Sequence, residues 1–277
     1  SFAEIPDALG RWDVLAVAGF LYAMEFIADK IPYIDSTWDA ISTAIRPTAG
    51  PFPRTALLCL ENSHNNCGGS VLTPEQTRAA AELAHARGVR VHLDGARIFN
   101  AAVALGVDAR ELAAPVDTVQ FCFSKGLSAP VGSILCGDAE TVAKARKMRK
   151  LLGGAMRQAG VIAAAALVAL ETMRDRLAED HANARALAEG LAAIEGIRID
   201  PRRVVTNIVS FELDAGRMDA GMFQRSCAER DLRISRYLGN SPRLRMVTHN
   251  DVSRADVDAA LAVMSGVLGG ARVPTPA

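Results

Sequence analysis

What this 277-residue sequence lacks narrows its function before any motif is read. Lys plus Arg equals Asp plus Glu at 31 each, so there is no excess charge to draw in a nucleic acid. There is no C-x-x-C and no H-E-x-x-H, the common zinc signatures, and no metal is expected. Cysteine is sparse and odd in number: of Cys59, Cys67, Cys122, Cys136 and Cys227, four lie in or beside apolar strand-like runs. They read as reduced core residues of a cytoplasmic protein and not as a disulfide frame. The apolar stretch Val14 to Met24, between Asp13 and Glu25, is shorter than the about 20 residues a bilayer span needs. It also lacks the basic leader and small-residue cleavage site of a secretory signal. A buried or interfacial helix is expected there, with membrane contact by residues 14–28 the less favoured reading.

The chain is organised around Val89 to Gly132. Val89 to Leu93 is an apolar strand ending at Asp94-Gly95, and Thr118 to Phe123 is another, ending at Ser124-Lys125-Gly126. In open α/β sheets the ligand crevice lies outside the strand C-termini, so an acid and an amine leaving neighbouring strands there can face one bound molecule. That combination points to pyridoxal phosphate, with Lys125 attached covalently and Asp94 keeping the pyridine nitrogen protonated. On spacing alone, Asp-Gly also makes an ordinary turn and Lys125 an ordinary solvated loop residue.

Strand and helix signals alternate along the chain. Ala56 to Leu60 reads as a strand delivering Glu61 to Asn65, with His64 either a substrate contact or a hydrogen-bonding loop residue. Thr73 fits an N-cap, Pro74 the first turn and Gln76 the capping-box position of a helix whose buried side is marked by Ala80, Leu83, Ala84 and Ala86, stopping at Gly88. A further strand is expected from Ser133 to Cys136, a basic, solvated helix from Asp138 to Leu152 and a tightly packed small-residue helix from Gly160 to Ala169. One long helix from Thr172 to Ile194 then leads to strands at Asn207 to Leu213, Leu232 to Ser235 and Leu244 to Val247, with helices at Asp219 to Arg230 and Val252 to Leu268. This is α/β logic: a mostly parallel sheet covered by helices, followed by a small α+β domain.

Six words, LENSHNNCGG (Leu60 to Gly69), HLDGARIFNA (His92 to Ala101), FSKGLSAPVGS (Phe123 to Ser133), RKLLGGAMRQAG (Arg149 to Gly160), EDHANA (Glu179 to Ala184) and RLRMVTHNDVS (Arg243 to Ser253), carry a resemblance over about residues 52–277. In this order they resemble the low-specificity L-threonine aldolases, fold-type I pyridoxal-phosphate enzymes. The resemblance implies an aspartate-aminotransferase-like fold with a truncated sheet: residues 51–172 as part of the cofactor-binding large domain, and 173–277 as a connecting helix and small C-terminal domain. It also implies dimers or tetramers. It assigns Lys125, Asp94, Ser124, Lys150 and Arg157 to the cofactor, and Arg97 and Arg245 to the substrate carboxylate, which a guanidinium binds through two parallel hydrogen bonds.

Residues 1–50 depart from that family, and Glu25 to Gly50 resembles instead the tail of a small bacterial membrane-protein family of unassigned function. The join falls at the breaker Gly50-Pro51-Phe52-Pro53. The aldolases' small-residue phosphate loop and ring-stacking histidine have no counterpart before it, and Pro51 stands where many members place a histidine near the substrate hydroxyl. A phosphate is normally held by backbone amides at a helix N-terminus, so weak cofactor binding is expected. The resemblance implies retro-aldol cleavage of a β-hydroxy-α-amino acid such as L-threonine or L-allo-threonine to glycine and acetaldehyde, with His64 or a water as base. The alternative is a non-catalytic aldolase remnant acting as an interaction or membrane-associated protein. A pyridoxal-phosphate desulfurase is disfavoured, because no nucleophilic cysteine loop is evident.

Overall fold

The computed structural model describes residues 55–214, 216–237 and 241–269; the segment 14–28, the join and Pro51 lie outside them. The described residues within 55–236 and 242–269 form one compact unit. Its first sheet has the order β1 (Leu57–Glu61), β2 (Arg90–Asp94), β3 (Thr118–Cys122), β4 (Ser133–Gly137). β1, β2 and β3 run parallel, and β4 returns antiparallel to β3. The link 123–132 is a loop with no helix, which suffices for an antiparallel return but not for a parallel crossover.

Helices α1 (Pro74–His85), α2 (Ile98–Leu105) and the short α3 (Ala109–Ala113) supply the crossovers between the parallel strands. The capping box at Thr73 and Gln76 forms as expected, each side chain bonded to the other's backbone N–H. The buried side of α1 differs from expectation: Pro74, Thr77, Ala81 and Ala84 face the sheet, while Leu83 is 60 % exposed. Ala81 and Ala84 pack on Val91, while Ile98, Ala101 and Ala102 of α2 pack with Leu93, both strand residues fully buried. The basic helix α4 (Ala139–Leu151) is N-capped by Asp138 and buries none of its residues, in keeping with a solvated face.

The single helix expected from Thr172 to Ile194 is two. Helix α5 (Gly160–Thr172) stops at Met173, and α6 (Leu177–Ala192) starts after a turn in which the Leu177 N–H donates to Arg174 O at 3.2 Å. Leu177 is wholly buried among Phe123, Leu127 and Ala169, and the chain turns to deliver it there. Only one side of α5 is packed: Ala166 and Ala169 are buried, whereas Val161, Leu167 and Val168 are exposed.

The second sheet is antiparallel, in the order β5 (Ile197–Arg198), β6 (Ile208–Leu213), β8 (Arg243–Val247), β7 (Ser235–Arg236). Its core brings Phe211 and Leu244 against Leu187 and Leu191 of α6, Phe223 of α7 (Ala220–Ala228) and Met264 and Leu268 of α8 (Arg254–Gly269). A short 3-10 turn, Pro201–Arg203, and strand β5 were not anticipated, and β7 falls at the end of the run expected as a strand. The cysteine reading needs correction. Cys59 and Cys67 are exposed and only Cys227 is buried; among the described residues β1 is an edge strand and turns Leu57 and Cys59 outward.

Candidate active site

Two of the three parallel strands end in register, and their last residues form a polar row with Gln120, two residues before the end of the third. Glu61 pairs in register with Asp94, and Asp94 with Gln120. The loops that leave this edge carry His64, Arg97 and Lys125, so the sequence candidates emerge at the end of the sheet where ligands of open α/β folds sit.

Asp94 is fixed through one oxygen. Its Oδ1 accepts from the Ala96 backbone N–H at 3.0 Å and from the Gln120 side-chain amide, while its Oδ2 has no hydrogen-bond partner among the described residues. The backbone carbonyl of Asp94 accepts from the Asn62 N–H at 2.9 Å, tying the β1 loop to the same strand end. Gln120 escaped the sequence reading. The available signal was a lone amide inside the apolar run Thr118 to Cys122.

Arg97 is the N-cap residue of α2 but makes no side-chain cap. Burial pushes its guanidinium below the usual arginine range, and the nearby charge of Arg245 pushes it the same way, while Glu61, Cys122 and Asp94 oppose them. Arg245 comes from the other sheet, on β8 between Ser210 and Ser235, and its Nε is buried without a hydrogen-bond partner. Two cations brought near each other, one with an orphaned donor, form a receptor for an anion.

The β1 loop holds His64 in place. Its backbone N–H donates to Ser70 O and its carbonyl accepts from the Gly69 N–H, both at 2.9 Å, while Nε2 lies 3.4 Å from Glu61 Oε2. The Nδ1 of His64 and the hydroxyl of Ser63 are buried without partners. On the far side of the row, Lys125 sits in an exposed turn closed by Ser128 N–H to Lys125 O at 2.9 Å and Ala129 N–H to Phe123 O at 3.0 Å. Ser124 is exposed beside it. Lys150, at the end of α4, and Arg157, in the following loop, are also exposed, and neither forms an ion pair among the described residues.

These residues suit pyridoxal phosphate. An exposed amine stands at the end of β3, a carboxylate with one uncommitted oxygen at the end of β2, and a cationic pair with a buried orphan Nε beside them. No group of His, Cys, Asp and Glu among the described residues could hold a metal ion.

Comparison with known proteins agrees with this geometry. The chain is 44% identical over 232 residues to low-specificity L-threonine aldolase 1 of Arabidopsis thaliana, covering 82% of this chain and 64% of that protein. It is 40% identical over 216 residues to the low specificity L-threonine aldolase of Escherichia coli K12, covering 78% of this chain and 61% of that one. The chain thus spans less than two thirds of the length of these relatives. Among solved structures, the threonine aldolase of Leishmania major superposes with a TM-score of 0.63 at 16% identity, over 82% of this chain and 66% of that chain, which shows the same fold. The family described as beta-eliminating lyase matches residues 29–215, beginning upstream of the Gly50-Pro51 join. That match takes in the Asp94, Arg97 and Lys125 loops, and the chain belongs to the beta-eliminating lyase family.

Proposed function

We propose that the chain acts with pyridoxal phosphate in the retro-aldol cleavage of a β-hydroxy-α-amino acid, L-threonine or L-allo-threonine, releasing acetaldehyde and glycine. The observation that carries this reading is the gathering of Asp94, Arg97 and Lys125 at and beyond the ends of the neighbouring parallel strands β2 and β3, with Arg97 feeling the charge of Arg245. The names of the Arabidopsis and Escherichia coli relatives favour the same substrate class. When bound, the cofactor supplies an electron sink for the pair released by the breaking Cα–Cβ bond.

The chain's own residues do the rest. Lys125 presents the amine for covalent attachment, and Asp94 Oδ2, without a hydrogen-bond partner among the described residues, holds a proton at the ring nitrogen. Arg97 and Arg245 clamp the substrate carboxylate and thereby orient the bond to be broken, which selects among the bonds at Cα. His64, with its buried and unpartnered Nδ1, takes the hydroxyl proton, and Glu61 at its Nε2 steadies the ring. Ser124, Lys150 and Arg157 are the groups offered to the phosphate. A homodimer or homotetramer of cytoplasmic location fits the exposed Leu151, Leu152, Val161, Leu167 and Val168 and the unpaired cysteines. No helix among the described residues is long and apolar enough to cross a membrane.

The test is threonine-dependent acetaldehyde release by the wild type and by Lys125→Ala, with pyridoxal phosphate added. Activity in the first and a loss of at least about a thousandfold in the second is expected for a covalent anchor. Equal turnover in both would refute the assignment.

A further inference from the structure

Beneath the Lys125 turn lies a polar pair, one member buried and the other half-buried, that the chemistry above leaves unused. Asn100, one turn into α2 and 2 % exposed, meets His181 of α6 with Nδ2 and Nε2 3.1 Å apart. The same asparagine presses on the turn itself: a Cβ added at Gly126 would stand 2.9 Å from Asn100 Oδ1 and 2.8 Å from Leu177 Cδ2. Leu177 and His181 are separated by one turn of α6, so one face of that helix bears on Gly126 both directly and through Asn100.

The Asn100 amide is placed with Nδ2 toward His181 Nε2 and Oδ1 toward Gly126. Burial pushes the His181 imidazole down to about 4, so the ring is uncharged at neutral pH, and in the tautomer protonated at Nδ1 its Nε2 accepts from that amide. Without an acceptor at position 181 the amide has no reason to hold this orientation, and its buried N–H group loses its partner.

We infer that His181 is a positioning residue: by accepting from Asn100 it holds the Ser124–Ser128 turn, and with it the backbone of Lys125, against α2 and α6. This deepens the proposed function and rests on it for the chemistry of Lys125. The geometric part stands apart from any cofactor.

The test therefore begins with the full chain free of cofactor. Hydrogen exchange of the peptide covering residues 123–129 is compared in the wild type, in His181→Phe, which keeps a ring without an acceptor, and in His181→Gln, which restores one. The same proteins are then mixed with pyridoxal phosphate and reduced with borohydride, and the mass gained at Lys125 is followed in time. His181→Phe is expected to speed exchange in that peptide and slow capture, each by about tenfold, the worth of one buried hydrogen bond. His181→Gln returns both to within about threefold of wild type, while exchange in β6 stays unchanged in all three.

If His181→Phe does not fold, Asn100→Ser is set against His181→Gln with the same expectation. The inference is overturned if the acceptor-less variant matches wild type, or if His181→Gln is as impaired as His181→Phe. If the exchange pattern is as expected but no protein gains mass at Lys125, the positioning role is upheld and the pyridoxal-phosphate reading fails.

Discussion

Asp94 and Gln120 are register partners on adjacent parallel strands, and the Gln120 amide donates to the same carboxylate oxygen that the Ala96 N–H already serves. One oxygen is thus committed to the protein and the other is left for a ligand. Gln120→Leu should free the carboxylate to rotate. It is expected to lower kcat for threonine cleavage about ten- to a hundredfold, the equivalent of about 1–3 kcal/mol. KM should change little, because the carboxylate clamp is elsewhere; steady-state kinetics of acetaldehyde release separate the two.

Arg97 reaches the site from the turn after β2 and Arg245 from β8 of the second sheet, and the charge of Arg245 acts against that of Arg97. Arg245→Lys keeps the charge but removes the planar fork. A rise in KM of about ten- to a hundredfold with a smaller fall in kcat is expected from losing bidentate recognition. An unchanged KM would remove Arg245 from the substrate clamp.

His181 makes the fold sensitive to mild acid. Its imidazole is lowered from 6.5 to about 4 in the folded chain, so as pH falls through that window the unfolded chain takes up a proton that the folded chain refuses. Stability is therefore fully present above 6.5 and is lost progressively toward 4. The loss specific to this ring is on the order of 2 kcal/mol, discounted from the about 3 kcal/mol that about 1.4 kcal/mol per pH unit over this window would give because the ring is not wholly buried. Urea unfolding at pH 7 and about pH 4.5 should show the wild type losing more than His181→Gln, the carboxylates contributing alike to both.

Gly69 is held at φ +77, and a Cβ there would collide with Thr206 Oγ1 and stand 3.2 Å from Ile208 Cβ. That hydroxyl donates to Gly69 O at 2.9 Å, joining the His64 loop to the entry of β6. Gly69→Ala combines a disfavoured backbone angle with a collision. A loss of at least about 2–3 kcal/mol is expected, measured as a lowered urea midpoint.

The sequence made the first sheet legible because its punctuation is local: Thr73, Pro74 and Gln76 announce α1, and Asp94-Gly95 and Ser124-Lys125-Gly126 close their strands. The direction of β4 depended on a link without a helix, and the break between α5 and α6 on where Leu177 had to be buried; both are tertiary demands that periodicity does not carry. Leu83 and Cys59 differ from expectation for a related reason: both are apolar yet face outward, and apolar character alone does not carry burial. In the site, Asp94, Arg97, Lys125 and Arg245 stood out as motif residues. Gln120, Asn100 and His181 act on those groups from outside the reaction, and their spacing in the chain signals nothing until the strands and helices are brought together.

Helix α6 serves both sheets with a single turn. Leu177 abuts the Lys125 turn at Gly126, while the Asp180 carbonyl accepts from the Thr248 hydroxyl at 2.6 Å, just past the strand that carries Arg245. The backbone segments that carry Lys125 and Arg245 are thereby referred to one helix and not to adaptable side chains, so a shift of this turn of α6 is transmitted to both segments at once.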